Sequence, residues 1–169
     1  MKNNLKKILF KLKPFLLGLV FIFLTELTFI HAFGISTNYA DASVSDLIID
    51  NEYNLSAILS QQLKVINNNN EPIEVKILVL FPESNNIRKK YSSIPDVKWV
   101  SIVPDKYILP PGQKGYSDIM IKIPKNKKLR GKSYQFNIEI SATPQKKENN
   151  IMFVPSLLSR IMFTIKGKK

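Results

Sequence analysis

The sequence predicts an all-β protein in which a sandwich of about seven short strands follows an N-terminal signal or anchor helix. A chain of 169 residues has the length of a single domain. Several segments carry apolar residues at every second position, which is the period of a strand with one buried face. Turn-forming stretches rich in asparagine, proline and glycine separate these segments, and this spacing is typical of two packed sheets.

The N-terminal part of the chain has the composition of an export segment. Residues 1–13 carry five lysines and no acid, and an apolar run of 22 residues follows at positions 14–35. A small-x-small site at residues 40–42 completes the pattern of a cleaved secretory signal. The run is also long enough to cross a bilayer as an uncleaved anchor, and a buried helix of a cytosolic protein is the third alternative. Glu26 and His31 stand against a membrane-spanning anchor, because a carboxylate within the bilayer is costly.

The chain therefore divides into residues 1–42, a signal peptide or N-terminal membrane anchor, and residues 43–169, the sandwich. With either a signal cleaved after Ala42 or a retained anchor, the sandwich lies outside the cytoplasm, whether secreted, periplasmic or at the cell surface. The net charge of +12 favours anionic partners. The absence of cysteine from the sequence excludes a disulfide framework and thiolate chemistry.

Alternation of apolar and polar residues predicts the strands. It is clearest at residues 133–141, where four apolar side chains share one face and polar side chains occupy the other. The other predicted strands are residues 47–49, 57–65, 73–81, 97–103, 119–123 and 161–165. We see no helical period after the leader.

Three neighbouring stretches, residues 99–112, 119–124 and 131–134, resemble a recurring bacterial pattern. A strand ends in proline, a Leu-Pro-Gly-type turn follows, the next strand also ends in proline, and a glycine precedes the tyrosine of another strand. The pattern resembles the immunoglobulin-like domains of periplasmic pilus-assembly chaperones and of the peptidoglycan-binding region of WxL-interacting surface proteins. The resemblance implies an immunoglobulin-like β-sandwich, within which Leu129 and Tyr134 fit a tyrosine corner.

The resemblance is one of fold and does not carry an activity with it. Pilus chaperones have two such domains and a basic pair that grips a carboxylate, whereas this chain has the length of one domain. WxL-interacting proteins are longer and end in a membrane helix, which this sequence does not show.

The sequence argues against an enzyme. His31, the only histidine, lies in the leader, so residues 43–169 lack the commonest general base and the commonest transition-metal ligands. Carboxylates are scattered singly, and we find no phosphate-binding glycine loop and no nucleophile motif. We therefore expect no catalytic residue, no metal and no cofactor.

Two basic clusters are the candidate binding site for an anionic envelope polymer or another partner. In a sandwich of this type their two loops emerge at the same end, where their summed charge would attract phosphate groups. The alternative is that both loops are solvated and keep a basic protein soluble. Nucleic acid is not expected, because aromatic residues are not interleaved with the cations. The candidate residues are Arg88, Lys89, Lys90, Lys125, Lys127, Lys128, Arg130 and Lys132.

Residues 151–165 are unusually apolar for a terminal strand. They form either the last core strand, bent at Pro155, or an open edge that exchanges strands with a partner through Ile151, Phe153, Ile161 and Phe163. Two functions follow from these features. The first is a non-catalytic envelope-binding or structural module that contacts an anionic polymer or a surface protein. The alternative is a single-domain, chaperone-like factor that acts by β-strand addition.

Overall fold

The computed structural model describes residues 34–145, 154 and 156–168, and these form two packed β-sheets. The all-β sandwich expected from the sequence is thereby confirmed. Most of the leader segment, residues 1–33, lies outside the described residues, as do Ile151, Phe153 and Pro155. Within the described ranges, no helix is long and apolar enough to span a membrane.

The elements follow one another in chain order. The described strands are β1 (Ile35–Thr37), β2 (Asp41–Leu47), β3 (Asn51–Asn54), β4 (Leu63–Asn67), β5 (Ile73–Leu80), β6 (Ser92–Ser93), β7 (Val100–Val103), β8 (Lys106–Leu109), β9 (Lys114–Ile123), β10 (Ser133–Pro144) and β11 (Ser156–Ile165). Helix α1 (Leu55–Ile58) follows β3, and 3-10 turns cover Ser84–Asn86, Val97–Trp99 and Lys127–Leu129.

The first sheet has the order β1–β4–β9–β3, with β7 also paired to β9, and the second has the order β2–β11–β10–β5–β8, with β6 paired to β10. The pairs are antiparallel except β2 with β11 and β6 with β10. Among the described strands, seven connections change sheet. The chain crosses from the first sheet to the second after β1, β4, β7 and β9, and it returns after β2, β6 and β8. Two of these crossings, β1 to β2 and β7 to β8, join edge strands of the two sheets.

Strand β10 shows how the core is built. Phe136, Ile138 and Ile140 point inward and are fully buried, as the alternation predicts. Gln135 and Asn137 point to the opposite face, yet they are also buried. The segment between β5 and β6 crosses that outer face, and its backbone bonds the Gln135 side chain: the Asn86 carbonyl accepts from Nε2 at 3.0 Å, and a backbone N–H donates to Oε1. Buried amides need such partners, so the crossing segment is fixed in place.

Some strand predictions are wrong. The predicted strand at residues 57–65 is strand only from Leu63, because the Asn54 side chain accepts hydrogen bonds from Ser56 N and Ala57 N and thereby starts helix α1. The predicted strand at residues 47–49 ends at Leu47, since the backbone turns through positive φ at Asp46 and Asp50. Residues 97–99 form a 3-10 turn before β7.

The chain around the predicted cleavage site belongs to the sandwich. Strand β1 pairs with β4, and β2 begins at Asp41 beside β11. Between them, Tyr39 is buried, its hydroxyl donates to the Gln61 carbonyl, and its own carbonyl accepts from Ser159 Oγ at 2.5 Å. The boundary between residues 42 and 43 stays a prediction, but in the structure it falls within β2.

Asp41 connects β2 to the rest of the second sheet. Its carboxylate accepts from Arg160 Nε at 2.6 Å and from Arg88 Nη2 at 2.9 Å. The hydrogen bond from Arg160, with that from Arg88, holds the pKa of Asp41 below its ordinary value near 3.8. Arg160 lies on β11 and Arg88 on the crossing segment, so one carboxylate joins three separate parts of the chain.

We expect a fragment of residues 34–169 to be more stable than a fragment of residues 43–169. The buried core of the described structure lies between Ile35 and Ile165, so the longer fragment contains it entirely. The shorter fragment loses β1 and the buried side chains of Ile35 and Tyr39, at a cost of about 3 kcal/mol or more. Urea denaturation followed by circular dichroism measures the difference. Equal midpoints would show that these residues add nothing to the fold.

We also expect Asp41→Asn to lower the free energy of unfolding by about 1 kcal/mol at neutral pH, a figure that allows for the exposed third of the side chain. Because the folded pKa is depressed, the carboxylate stabilises the fold above its unfolded pKa, and this contribution is lost as the pH falls through the folded value. The difference between wild type and variant should therefore shrink in acid.

Asp105→Asn is the matched control for this measurement. Asp105 is exposed, and within the described residues no cation lies within 4.0 Å of its carboxylate. Denaturation midpoints measured for both variants from pH 7 to pH 2.5 test the prediction. A difference that grows in acid would contradict it.

Candidate functional site

Several strand ends meet at one end of the sandwich. Strands β2, β9 and β11 end there, and β10 begins there. Backbone hydrogen bonds hold the segments together: Lys166 N donates to the Leu47 carbonyl at 2.8 Å, and Gly131 N donates to the Ile165 carbonyl at 3.0 Å. We refer to this region as the basic end, defined by the exposed cations Lys125, Lys127, Lys128, Arg130, Lys132, Lys166 and Lys168.

The loop between β9 and β10, residues 124–132, carries most of these cations, and we refer to it as the basic loop. It has a fixed local structure. The Asn126 side chain accepts from Lys128 N at 3.0 Å and caps the 3-10 turn. Leu129 is buried and attaches the loop to the core, and Gly131 adopts a positive φ of 74°. An L-residue with a side chain seldom adopts that conformation, so glycine suits the position. The cations therefore lie on a defined surface.

The charges at the basic end are largely uncompensated by neighbouring acids. Lys125 Nζ lies 3.2 Å from Asp50 Oδ2 on the exposed surface. For the other cations of the basic end, no carboxylate of the described residues lies within 4.0 Å. Lys166 and Lys168 were not predicted as site residues, because nothing in their local sequence distinguishes them. The position of the end of β11 beside Leu47 places them here.

The second predicted basic cluster consists of Arg88, Lys89 and Lys90, and its residues have different surroundings. Arg88 is held by Asp41 on the outer face of the second sheet, so its guanidinium already has an anionic partner. Lys89 and Lys90 are exposed, and they have no carboxylate within 4.0 Å in the described part of the chain. Strand β6 runs parallel to the start of β10, with Ser92 opposite Tyr134. Because β6 is parallel to β10, the residues that precede β6, including Lys89 and Lys90, lie toward the start of β10 and thus toward the basic end.

Residues 67–70 mark the other end of the sandwich, which we refer to as the asparagine end. Gly112 N donates to the Asn67 carbonyl at 2.9 Å, and Gln145 N donates to the Pro72 carbonyl at 3.2 Å. The described chain also enters at this end, because Asn68 N donates to the Gly34 carbonyl at 3.1 Å. The asparagine end therefore lies one full strand length from the basic end.

The candidates for strand addition lie in the core or outside the described residues. Ile161 and Phe163 are fully buried on the inward face of β11, where β2 and β10 pair with the strand on its two sides. They are therefore core residues in the structure. Ile151 and Phe153 lie outside the described residues.

Within the described residues, a different part of β11 has an open edge. Pairing with β2 starts at Arg160, which lies opposite Asp41, so residues 156–159 pair with β10 alone within the described structure. Arg160 N donates toward the β2 side, to the Ala40 carbonyl. Because alternate residues of a strand direct their backbone groups to the same side, Leu158 and Ser156 present theirs to the open edge. The Leu158 side chain is 52% exposed.

The expected tyrosine corner does not form. Tyr134 packs its ring edge-on against Trp99, with the ring centroids 5.6 Å apart. It also packs against Phe163 in a tilted arrangement, with the ring centroids 5.7 Å apart. Its hydroxyl makes no hydrogen bond with the described residues, and burial raises its pKa. The aromatic ring thus contributes packing where the pattern implied a polar contact. No cluster of three potential metal ligands occurs within the described ranges.

No family model matches the chain. No curated protein matches it by sequence. The fold is nevertheless similar to solved structures. One is the PapD-like domain 7 of human CEP192, at 10% identity and a TM-score of 0.57, with 85% of this chain and 92% of that chain covered.

Two bacterial chaperones are also similar in structure. They are the Escherichia coli chaperone DraB, at 14% identity and a TM-score of 0.52, and the Salmonella enterica chaperone SafB, solved in complex with SafA pilin, at 12% identity and a TM-score of 0.53. Both comparisons cover 79% of this chain, which spans 56% and 55% of the respective chaperone chains. At such identities the similarity concerns the fold. The fold-level resemblance to periplasmic chaperone domains is confirmed.

Proposed function

We propose that the chain is an exported, non-catalytic binding or structural module of the cell envelope that contacts an anionic envelope polymer through its basic end. The observation that carries the proposal is the convergence of the loop between β9 and β10 with Lys166 and Lys168. Cations concentrated on a fixed surface raise the local concentration of a polyanion and steer its approach.

Two further features support this function. The leader-like composition of residues 1–42 and the similarity of the fold to periplasmic chaperone domains favour a location outside the cytoplasm. The reported structural neighbours are chaperone and immunoglobulin-like domains, which favours binding over catalysis. A surface protein with an acidic patch is the other partner that the same charges would attract.

We expect Lys127→Glu combined with Lys128→Glu to weaken polymer binding by about tenfold or more, because like charges then oppose the polyanion. The measurement is co-sedimentation of the full chain, in neutral detergent, with insoluble wall polymer that carries phosphodiester groups. Binding of the wild type should also fade between 0.1 M and 1 M salt, as the screening length drops from about 10 Å to about 3 Å.

The matched control is Lys76→Glu combined with Lys114→Glu, which changes the net charge equally on exposed strand residues away from the basic end. It should bind like the wild type. Both double variants should unfold within about 0.5 kcal/mol of the wild type, since all four side chains are exposed. Undiminished binding by the Lys127 and Lys128 variant would mean that the basic loop serves solubility alone.

The open edge of β11 favours a second candidate function, β-strand addition by a chaperone-like factor. On the side away from β10, residues 156–159 have no paired strand among the residues that the structure describes, so their backbone groups can accept an extended segment of a partner. The register aligns the exposed side chains of Leu78 and Leu158 on either side of Glu139, on the outer face next to this edge. An added strand would therefore find backbone donors and acceptors beside an apolar surface.

We expect Leu158→Pro to abolish capture of a strand-adding partner, because proline removes the N–H that faces the open edge while leaving the pairing with β10 in place. Leu158→Ala is the matched control, since it truncates the same side chain and keeps the N–H. The tagged full chain is used to capture proteins from envelope extracts at 1 M salt, which suppresses charge-driven contacts. Equal capture by both variants would rule out strand addition at this edge.

A further inference from the structure

A small cleft opens at the basic end. Its volume is about 160 Å³, and it is lined by Ile48, Ile49, Arg130, Lys166 and Gly167. Pockets for drug-sized ligands usually measure about 300–1,000 Å³. This cleft therefore has room for one small charged group of a larger molecule.

Two cations from separate segments border the cleft. Arg130 belongs to the loop between β9 and β10, and Lys166 directly follows β11. In the described part of the protein, no carboxylate lies within 4.0 Å of either side chain. The backbone beneath both is held by hydrogen bonds, from Gly131 N to the Ile165 carbonyl and from Lys166 N to the Leu47 carbonyl. Two such cations on a fixed backbone favour an anion between them.

The remaining walls are backbone and aliphatic surface. Gly167 is one of the lining residues, and a Cβ added there would meet no atom within 4 Å, so a side chain at this position would enter open space. The Gly167 N–H donates to no acceptor among the described residues and is available to a ligand. On the other side, the Ile48 side chain is 48% exposed. The cleft thus combines positive charge, a backbone donor and a hydrocarbon wall.

We propose that this cleft binds the phosphodiester group of an envelope polymer or lipid headgroup, a proposal that rests on the anion-binding function of the basic end. A phosphodiester shares one negative charge between two unesterified oxygens. One oxygen can accept from the Arg130 guanidinium and the other from the Lys166 ammonium group. Its two ester arms carry aliphatic carbons, of which one can pack against Ile48. A carboxylate has a single carbon substituent and satisfies only the charged part of the cleft.

The test is calorimetric titration of the full chain, in neutral detergent, with glycerophosphoglycerol, a soluble phosphodiester. We expect saturable binding that Arg130→Gln combined with Lys166→Gln weakens by about tenfold or more, since each charge-assisted hydrogen bond contributes appreciably. Lys76→Gln combined with Lys114→Gln removes the same charge elsewhere and should change the affinity less than about twofold. Equal effects of the two double variants, or no effect of the first, would overturn the proposal.

Gly167→Leu distinguishes binding within the cleft from general electrostatic attraction to the basic end. It keeps every charge and adds a bulky side chain at a residue that lines the cleft, so it should abolish binding of glycerophosphoglycerol while the circular dichroism spectrum is unchanged. Retained binding in this variant would place the phosphodiester outside the cleft and overturn the proposal.

A comparison of two ligands identifies the kind of molecule that supplies the phosphodiester. Tighter binding of poly(glycerol phosphate) than of detergent micelles containing phosphatidylglycerol assigns a wall polymer, and the reverse assigns a lipid; either result supports a phosphodiester site. Equally tight binding of poly(glutamate) overturns the proposal of a phosphodiester site.

If wall polymer binds through Lys127 and Lys128 but independently of Arg130 and Lys166, the cleft proposal fails and the proposed function stands. If glycerophosphoglycerol binds but wall polymer does not, the proposed function fails and the cleft stands.

Discussion

The burial of both faces of β10 over residues 134–138 is the constraint on which the rest of the structure depends. The inward face contributes Phe136, Ile138 and Ile140 to the core, and the outward face carries two amides that water cannot reach. A buried amide without a partner would cost about 1–3 kcal/mol. The crossing segment between β5 and β6 meets this requirement at Gln135, and in doing so it brings Arg88 to Asp41. The segment that satisfies Gln135 of β10 therefore also helps to hold β2, the edge strand that carries Asp41.

The strands with regular alternation were predictable from the sequence because one face is apolar. Strands β5, β9 and β10 belong to this group, although β9 starts several residues earlier than expected. The interpretation failed where a local hydrogen bond decided the conformation, as at Asn54, whose side chain starts a helix within an alternating segment. Strand β1 and the start of β2 were not predicted as strands, because residues 35–42 were assigned to the export segment on the strength of the apolar run and the small-x-small site.

The candidate sites were predictable in charge and composition but not in detail. The basic loop is visible as a run of lysines, whereas Lys166 and Gly167 join it through a tertiary contact that no local pattern announces. The apolar composition of the terminal strand is visible in the sequence. Phe163 is buried because it faces the core, whereas Leu158 faces outward and is exposed. The point at which β2 begins to pair decides which backbone groups of β11 lie at an open edge in the described structure. The two proposed functions consequently use opposite ends of β11.

The positions of Gly34 and the basic end at opposite ends of the sandwich have a mechanical consequence. Strand β11 runs ten residues between the two ends, or about 30 Å. A polymer held at Arg130 and Lys166 and a tether attached before Gly34 would pull the domain along its strands. Hydrogen bonds between strands lie across that direction, so the β1–β4 and β2–β11 pairs would be loaded in shear, with their bonds sharing the force. This arrangement resists extension far better than a hairpin unzipped one bond at a time.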